Sequence, residues 1–263
     1  PTMPPIRILI VNPNTTASMT ELLRPLVERV LASLPSTTCD FFTAPVAPSG
    51  TLDPGALPSI NSPDDAILSA KYCFPFLEST LPSYDGILVA CYSEHPLVRM
   101  FGELLARTEK QDGRRRYVIG IFEASVLASL TLLAQIPGTP DSTFAIVSTG
   151  AVWGSALSSA VQSFTGGAAR FASCETTGLS ASELHSMPPE AVRQAMVDAT
   201  ARLMENRTVK VICLGCAGMA GLEAAVREGA ARVLGERKGG EVRVVDGVVA
   251  GVSWLVAACS AGF

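Results

Sequence analysis

Two cysteines stand where open α/β chains keep their chemistry. Cys91 closes the run Gly86-Ile87-Leu88-Val89-Ala90-Cys91, and Cys216 closes Val211-Ile212-Cys213-Leu214-Gly215-Cys216. Each follows a short apolar stretch and precedes small or polar residues, Tyr92-Ser93 and Ala217-Gly218. That pattern marks the C-terminal end of a buried parallel strand, the edge at which open α/β sheets bind ligands. A thiolate can act as a nucleophile or a base. Two sulfurs on opposite sides of one carbon suit a particular step. One thiolate removes a proton from one face, the other thiol returns a proton to the opposite face, and a carbon acidified by a neighbouring carbonyl is inverted. Backbone N–H groups and helix N-termini beside the sulfurs would favour a thiolate and stabilise enolate charge.

Other residues compete for roles near these ends. Asn14 and Thr15, in Asn12-Pro13-Asn14-Thr15-Thr16, are expected to cap the first helix, and the turn should leave backbone N–H groups aimed above the sheet. His95 is either a base or carbonyl polariser, or a helix-start residue bonded locally. Glu123 opens a helix, where a carboxylate suits the dipole with or without a ligand. Pyridoxal chemistry needs a lysine, and none of Lys71, Lys110, Lys210 and Lys238 falls at an expected strand end. Gly215-Cys216-Ala217-Gly218-Met219-Ala220-Gly221 is neither a dinucleotide turn nor a P-loop. Cys213 and Cys216 fit C-x-x-C, a redox spacing, but Cys213 lies inside the apolar run and is expected to be an inert core residue.

The elements that must position these groups alternate strand and helix. Strands are expected at 6–11, 38–44, 86–91 and 117–122, with helices at 19–34, 66–80, 96–107 and 123–135. A proline- and glycine-rich stretch at 45–65, with Ser49-Gly50 between prolines, reads as a long functional loop. A break at Pro137-Gly138-Thr139-Pro140-Asp141 lies close to the exchange between lobes. Strands then recur at 143–147, 169–174, 209–214 and 242–245. Helices follow at 151–164, from Ser182 or Pro188 to about 206, at 222–234 and at 248–259. The cysteines are 216 − 91 = 125 residues apart, each on the third strand of its half. This predicts an α/β protein of two parallel-sheet lobes related by a pseudo-twofold, 1–120 joined by 246–263, and 121–245, with the active site in the cleft between them.

Composition removes other classes. Net charge is −4, so no basic field exists to hold nucleic acid. Arg114-Arg115-Arg116 is expected to be a solvated surface turn. No apolar run reaches the roughly 18 residues of a membrane span, and no signal peptide is expected. Seven cysteines, an odd and scattered set, argue for a reducing, cytoplasmic setting rather than a disulfide scaffold. Two histidines cannot build a His-rich metal site.

Ile8-Leu9-Ile10-Val11-Asn12-Pro13-Asn14-Thr15-Thr16, Ala90-Cys91-Tyr92-Ser93, Gly120-Ile121-Phe122-Glu123-Ala124, Leu214-Gly215-Cys216-Ala217-Gly218-Met219-Ala220 and Val245-Asp246-Gly247-Val248 together resemble the hydantoin racemase branch of the aspartate/glutamate racemase superfamily. With His95-Pro96 following Cys91-Tyr92-Ser93, the likeness is to fungal DCG1-like members. The resemblance implies two flavodoxin-like lobes, a two-base reaction without cofactor or metal, and homo-oligomers. It also implies a cyclic ureide substrate, allantoin or a 5-substituted hydantoin. Cys91 and Cys216 would be the acid–base pair, with Asn14, Thr15, Ser93, Glu123, Thr149, Ala217 and Gly218 lining the pocket. Many members carry Cys-Phe-x-Asp-Pro. Here Tyr92, Glu94 and His95 make the surroundings of the first cysteine more polar, which suits the ureido group of allantoin. Three alternatives stay open: an aspartate- or glutamate-type racemase, a related isomerase or decarboxylase, and a small-molecule-binding protein without turnover.

Overall fold

The computed structural model describes residues 5–32, 34, 36–46, 53–137, 140–167 and 170–263. Ser49-Gly50 of the expected loop and Gly138-Thr139 of the expected break lie outside them. In chain order the regular elements are β1 (Ile6–Asn12), α1 (Ala17–Leu31), β2 (Thr37–Thr43), α2 (Pro63–Leu77), β3 (Gly86–Val89), α3 (Pro96–Asp112), β4 (Tyr117–Gly120) and α4 (Ile121–Ala134). There follow β5 (Thr143–Ser148), α5 (Val152–Thr165), β6 (Phe171–Thr176), α6 (Glu183–Ser186), α7 (Pro189–Met204), β7 (Val209–Gly215), α8 (Glu223–Leu234), α9 (Glu236–Gly240), β8 (Arg243–Asp246) and α10 (Gly247–Ala261).

Two compact units result. One holds the residues up to Ala124 together with Val248–Phe263, and the other holds Ser125–Gly247. Each has a four-stranded sheet. The strand orders are β2-β1-β3-β4 and β6-β5-β7-β8, and every neighbouring pair is parallel. Counted within its own unit, each sheet therefore has the order 2-1-3-4. The expected α/β fold with two parallel-sheet lobes is what forms.

Each unit buries its own core. In the first, Leu9, Val11, Ile87 and Val89 from the sheet meet Leu77 of α2 and Leu97, Phe101 and Leu105 of α3. Phe101 has no exposure, and burying one such side chain stabilises by roughly 1.5–3 kcal/mol. In the second, Ala145, Val147, Ile212 and Leu214 pack on Met196 and Val197 of α7 and Val226 of α8. Closing helix α10 approaches β3 through two glycines. A Cβ at Gly86 would lie 3.3 Å from Leu255, and one at Gly251 would lie 2.4 Å from Leu88.

Several elements differ from expectation. Helix α2 starts at Pro63, inside the stretch read as loop. The Ser62 side chain accepts the Asp65 N–H, Pro63 opens the helix, and Asp64 and Asp65 occupy the first turn, which together form a helix N-terminus signature. Strand β4 stops at Gly120 and α4 begins at once, so Glu123 sits in the first helical turn. The stretch from Ser182 forms two helices, α6 and α7, and α9 adds a short helix before β8. Arg116 is not part of a solvated turn. Its side chain is 2% exposed and ion-paired to Asp112, and it donates to the Pro82 carbonyl at 2.9 Å.

Candidate active site

In the first unit, β1, β3 and β4 are neighbours, so the turns after them share the C-terminal edge of the sheet. Asn14 and Thr15 follow β1, Cys91 to His95 follow β3, and Glu123 follows β4. In the second unit, Thr149 follows β5 and Cys216, Ala217 and Gly218 follow the adjacent β7. Each cysteine thus comes just after the third strand of its unit.

The β1–α1 turn is held from inside. Asn14 N–H donates to the Asn12 side chain at 3.2 Å, and Thr16 N–H to the Asn14 side chain at 2.9 Å. Thr15 N–H donates to the Leu57 carbonyl at 2.8 Å. Thr16, not Asn14 or Thr15, occupies the cap position of α1, and it makes no side-chain cap bond. The N–H groups of Asn14, Thr15 and Thr16 are therefore already committed within the turn. The turn is also braced from α2, where the Ser69 hydroxyl donates to the Pro13 carbonyl at 2.6 Å.

Around Cys91 the chain winds tightly. Ser93 N–H reaches the Cys91 carbonyl at 3.0 Å, and His95 N–H reaches the Ser93 carbonyl at 2.8 Å. The half-buried Cys91 sulfur lies 3.5 Å from the Ser93 hydroxyl. Tyr92 is buried, its ring edge-on to Phe122 at 5.7 Å between centroids, which ties the β3 turn to α4. His95 caps α3, its Nδ1 accepting the Leu97 N–H at 3.3 Å. That bond assigns the ring proton to Nε2, which is buried without a partner. Burial drives the His95 pKa down to about 3, so the imidazole is neutral. Glu123 is 9% exposed, with Oε2 also buried and unpartnered. Burial raises its carboxyl to about 7, with the Glu94 charge adding to the rise. The carboxylate folds back over Gly120, where a Cβ would lie 2.2 Å from Oε2.

Around Cys216 the second unit supplies a different setting. Cys216 leads a single 3-10 turn, Ala217–Met219. Burial pushes its thiol up to about 11, opposed only by the Gly218 N–H. The Ser148 hydroxyl donates to the Gly215 carbonyl at 2.9 Å and locks β5 to β7 behind the turn. Thr149 is buried, its carbonyl accepting the Gly178 N–H. Sequence reading gave His185 no role, yet its ring stands beside this turn. A Cβ at Gly218 would lie 2.7 Å from His185 Nε2. His185 precedes β7 on a separate short helix, so no spacing in the sequence links it to Cys216. Cys213 is fully buried, its sulfur 3.0 Å from the Ser129 hydroxyl. Among the described residues, no group of three or more His, Cys, Asp or Glu is placed to hold a metal ion, and no helix is long and apolar enough to cross a membrane.

Over residues 8–255 the sequence matches the family described as Asp/Glu/Hydantoin racemase. The chain belongs to that family. Allantoin racemase AllR from Pseudomonas fluorescens matches with a TM-score of 0.75 and 27% identity, covering 98% of this chain and 92% of that one. Protein C1F7.10 of Schizosaccharomyces pombe is 30% identical over 250 residues, 95% of this chain and 90% of that protein. Protein DCG1 of Saccharomyces cerevisiae is 28% identical over 228 residues, 82% of this chain and 84% of that protein. The resemblance read from the ordered motifs holds, and the family and its neighbours support a racemase-type function.

Proposed function

We propose that this family member is a cofactor-independent racemase of a cyclic ureide, allantoin or a 5-substituted hydantoin, with Cys91 and Cys216 as its acid–base pair. The observation that carries the reading is positional. Two sheets of the same strand order each present one cysteine just after their third strand. The likeness to allantoin racemase AllR supports the substrate class.

Proton accounting is simple. The Cys91 thiolate takes the C5 proton, forming S–H as C–H breaks, and the electron pair moves into the adjacent carbonyl as an enolate. The Cys216 thiol then gives its proton to the opposite face of C5, leaving Cys216 as thiolate. The raised pKa of Cys216 suits the proton-holding role in the resting state. The opposite enantiomer runs the two roles in reverse. An amino-acid racemase would need cationic or extra amide contacts for a second carboxylate. Arg99, six residues past the Cys91 motif, is exposed and paired with Glu103 at 2.8 Å, so it supports no such role.

The test is isotope exchange. Single-enantiomer allantoin and a 5-substituted hydantoin are incubated in D₂O while optical rotation and C5 deuteration are followed. Wild type should racemise with deuterium uptake. Cys91→Ser and Cys216→Ser should each lose at least about 100-fold in rate, the lower range for general acid–base catalysis. Equal rates in wild type and Cys91→Ser would remove the two-base scheme. Ligand-induced stabilisation with no exchange would instead identify a binding protein.

A further inference from the structure

The sheet edge opposite Cys216 takes no part in that reaction, yet in the second unit it carries a cavity of about 580 Å³. Four cationic side chains line it. Arg207 stands just before β7, Lys210 comes from its start, Lys238 from α9, and Arg243 from the start of β8. Glu241 is the one carboxylate in the lining, and the rest of the wall is apolar.

The charges are not balanced from within. Arg207 donates to the Val233 carbonyl at 3.0 Å and Lys210 to the Arg207 carbonyl at 3.1 Å, bonds that orient the cations without neutralising them. Among the described residues, none of the four pairs with a carboxylate. Glu241 is already held by Arg237 at 2.8 Å. Four positive charges therefore face one cavity in a chain whose net charge is −4. Their mutual repulsion is relieved when an anion enters, and guanidinium and ammonium donors together suit a tetrahedral oxyanion. A concave site backed by apolar wall favours a small ligand over a duplex or a membrane surface.

We infer that this cavity binds a compact, multiply charged oxyanion of the phosphate or pyrophosphate class. The site is separate from Cys216, since Lys210 stands near the first end of β7 and Cys216 follows its last residue. It does not depend on the proposed racemase reaction.

The experiment titrates sodium pyrophosphate into the full chain by calorimetry and thermal unfolding, with sodium chloride at matched ionic strength as reference. Wild type should show saturable binding at one site. The double substitution Lys238→Glu with Arg243→Glu should weaken it at least about tenfold, as expected when two attractive contacts turn repulsive. Lys110→Glu, an exposed change on α3 of the first unit, should leave it unchanged. Lys238 is exposed, so Lys238→Glu alone serves if the double variant does not fold. Pyrophosphate acting no better than chloride, or binding equally well to the Lys238 variants, would overturn the inference. So would attachment to DNA or to phosphatidic acid vesicles without any response to pyrophosphate.

Discussion

Replacing His95 with asparagine should make the protein gain stability on acidification relative to wild type. His95 is neutral when folded, its pKa driven by burial from 6.5 to about 3. The unfolded imidazole takes up a proton near 6.5, so below that pH the unfolded state binds more protons and stability is lost as pH falls. Glu123 works in the opposite direction. Its folded carboxyl keeps a proton up to about 7, whereas the unfolded carboxyl releases it near 4.5. Its contribution is present below 4.5 and is lost as pH rises through 7. Between pH 4.5 and 6.5 the two groups therefore oppose each other with equal slope. Over those two pH units each is worth about 3 kcal/mol, at 1.36 kcal/mol per unit. Asparagine is a good helix cap, so His95→Asn retains an acceptor at the start of α3. The smaller side chain adds a constant penalty, which cancels when differences are compared across pH. Urea unfolding of wild type, His95→Asn and Glu123→Gln at several pH values reads the effect. Relative to wild type, His95→Asn should gain about 3 kcal/mol between pH 6.5 and 4.5, and Glu123→Gln should lose about as much. A difference between His95→Asn and wild type that stays constant over this range would refute the buried, neutral imidazole.

Other outcomes follow from single contacts. Cys213→Ala removes the 3.0 Å contact with Ser129 and should cost roughly 1 kcal/mol in denaturant unfolding while leaving isotope exchange intact. Gly215→Ala would bring a Cβ within 2.6 Å of the Val147 carbonyl. The Val147 carbonyl is backbone of the neighbouring strand and the Ile146 and Ser148 side chains also stand within 3 Å, so unfolding should show a loss of about 1–3 kcal/mol or more, with the Cys216 turn displaced and exchange slowed. Cys73 is fully buried and its thiol is pushed by burial from 9.0 to about 11. Its contribution is whole below pH 9 and is lost as pH rises toward 11. In Cys73→Ala about 3 kcal/mol of that alkaline loss should disappear from the stability profile.

The strand pattern and both cysteine positions were legible in the chain because apolar runs ending in small residues report burial directly. The motif order named the family for the same reason, since strand-end residues stay contiguous in sequence. Element starts were less legible. Ser62-Pro63-Asp64-Asp65 lies in a stretch that reads as loop by composition, although Ser, Pro and Asp in this order also open a helix, and the Ser62 cap bond shows that they start α2.

The sequence by itself determined the alternation of strand and helix, its repetition in two halves and the placement of Cys91 and Cys216 at strand ends, whereas the 2-1-3-4 order of each sheet came from the tertiary structure. Hydrophobic periodicity acts locally, so a linear reading recovers it. Tertiary structure decided what surrounds those residues. It committed the N–H groups of the β1–α1 turn, buried His95 and Glu123 with one atom of each unpartnered, set His185 against Gly218, and gathered four cations around one cavity. Desolvation and charge proximity arise from residues far apart in the chain, and only packing creates them.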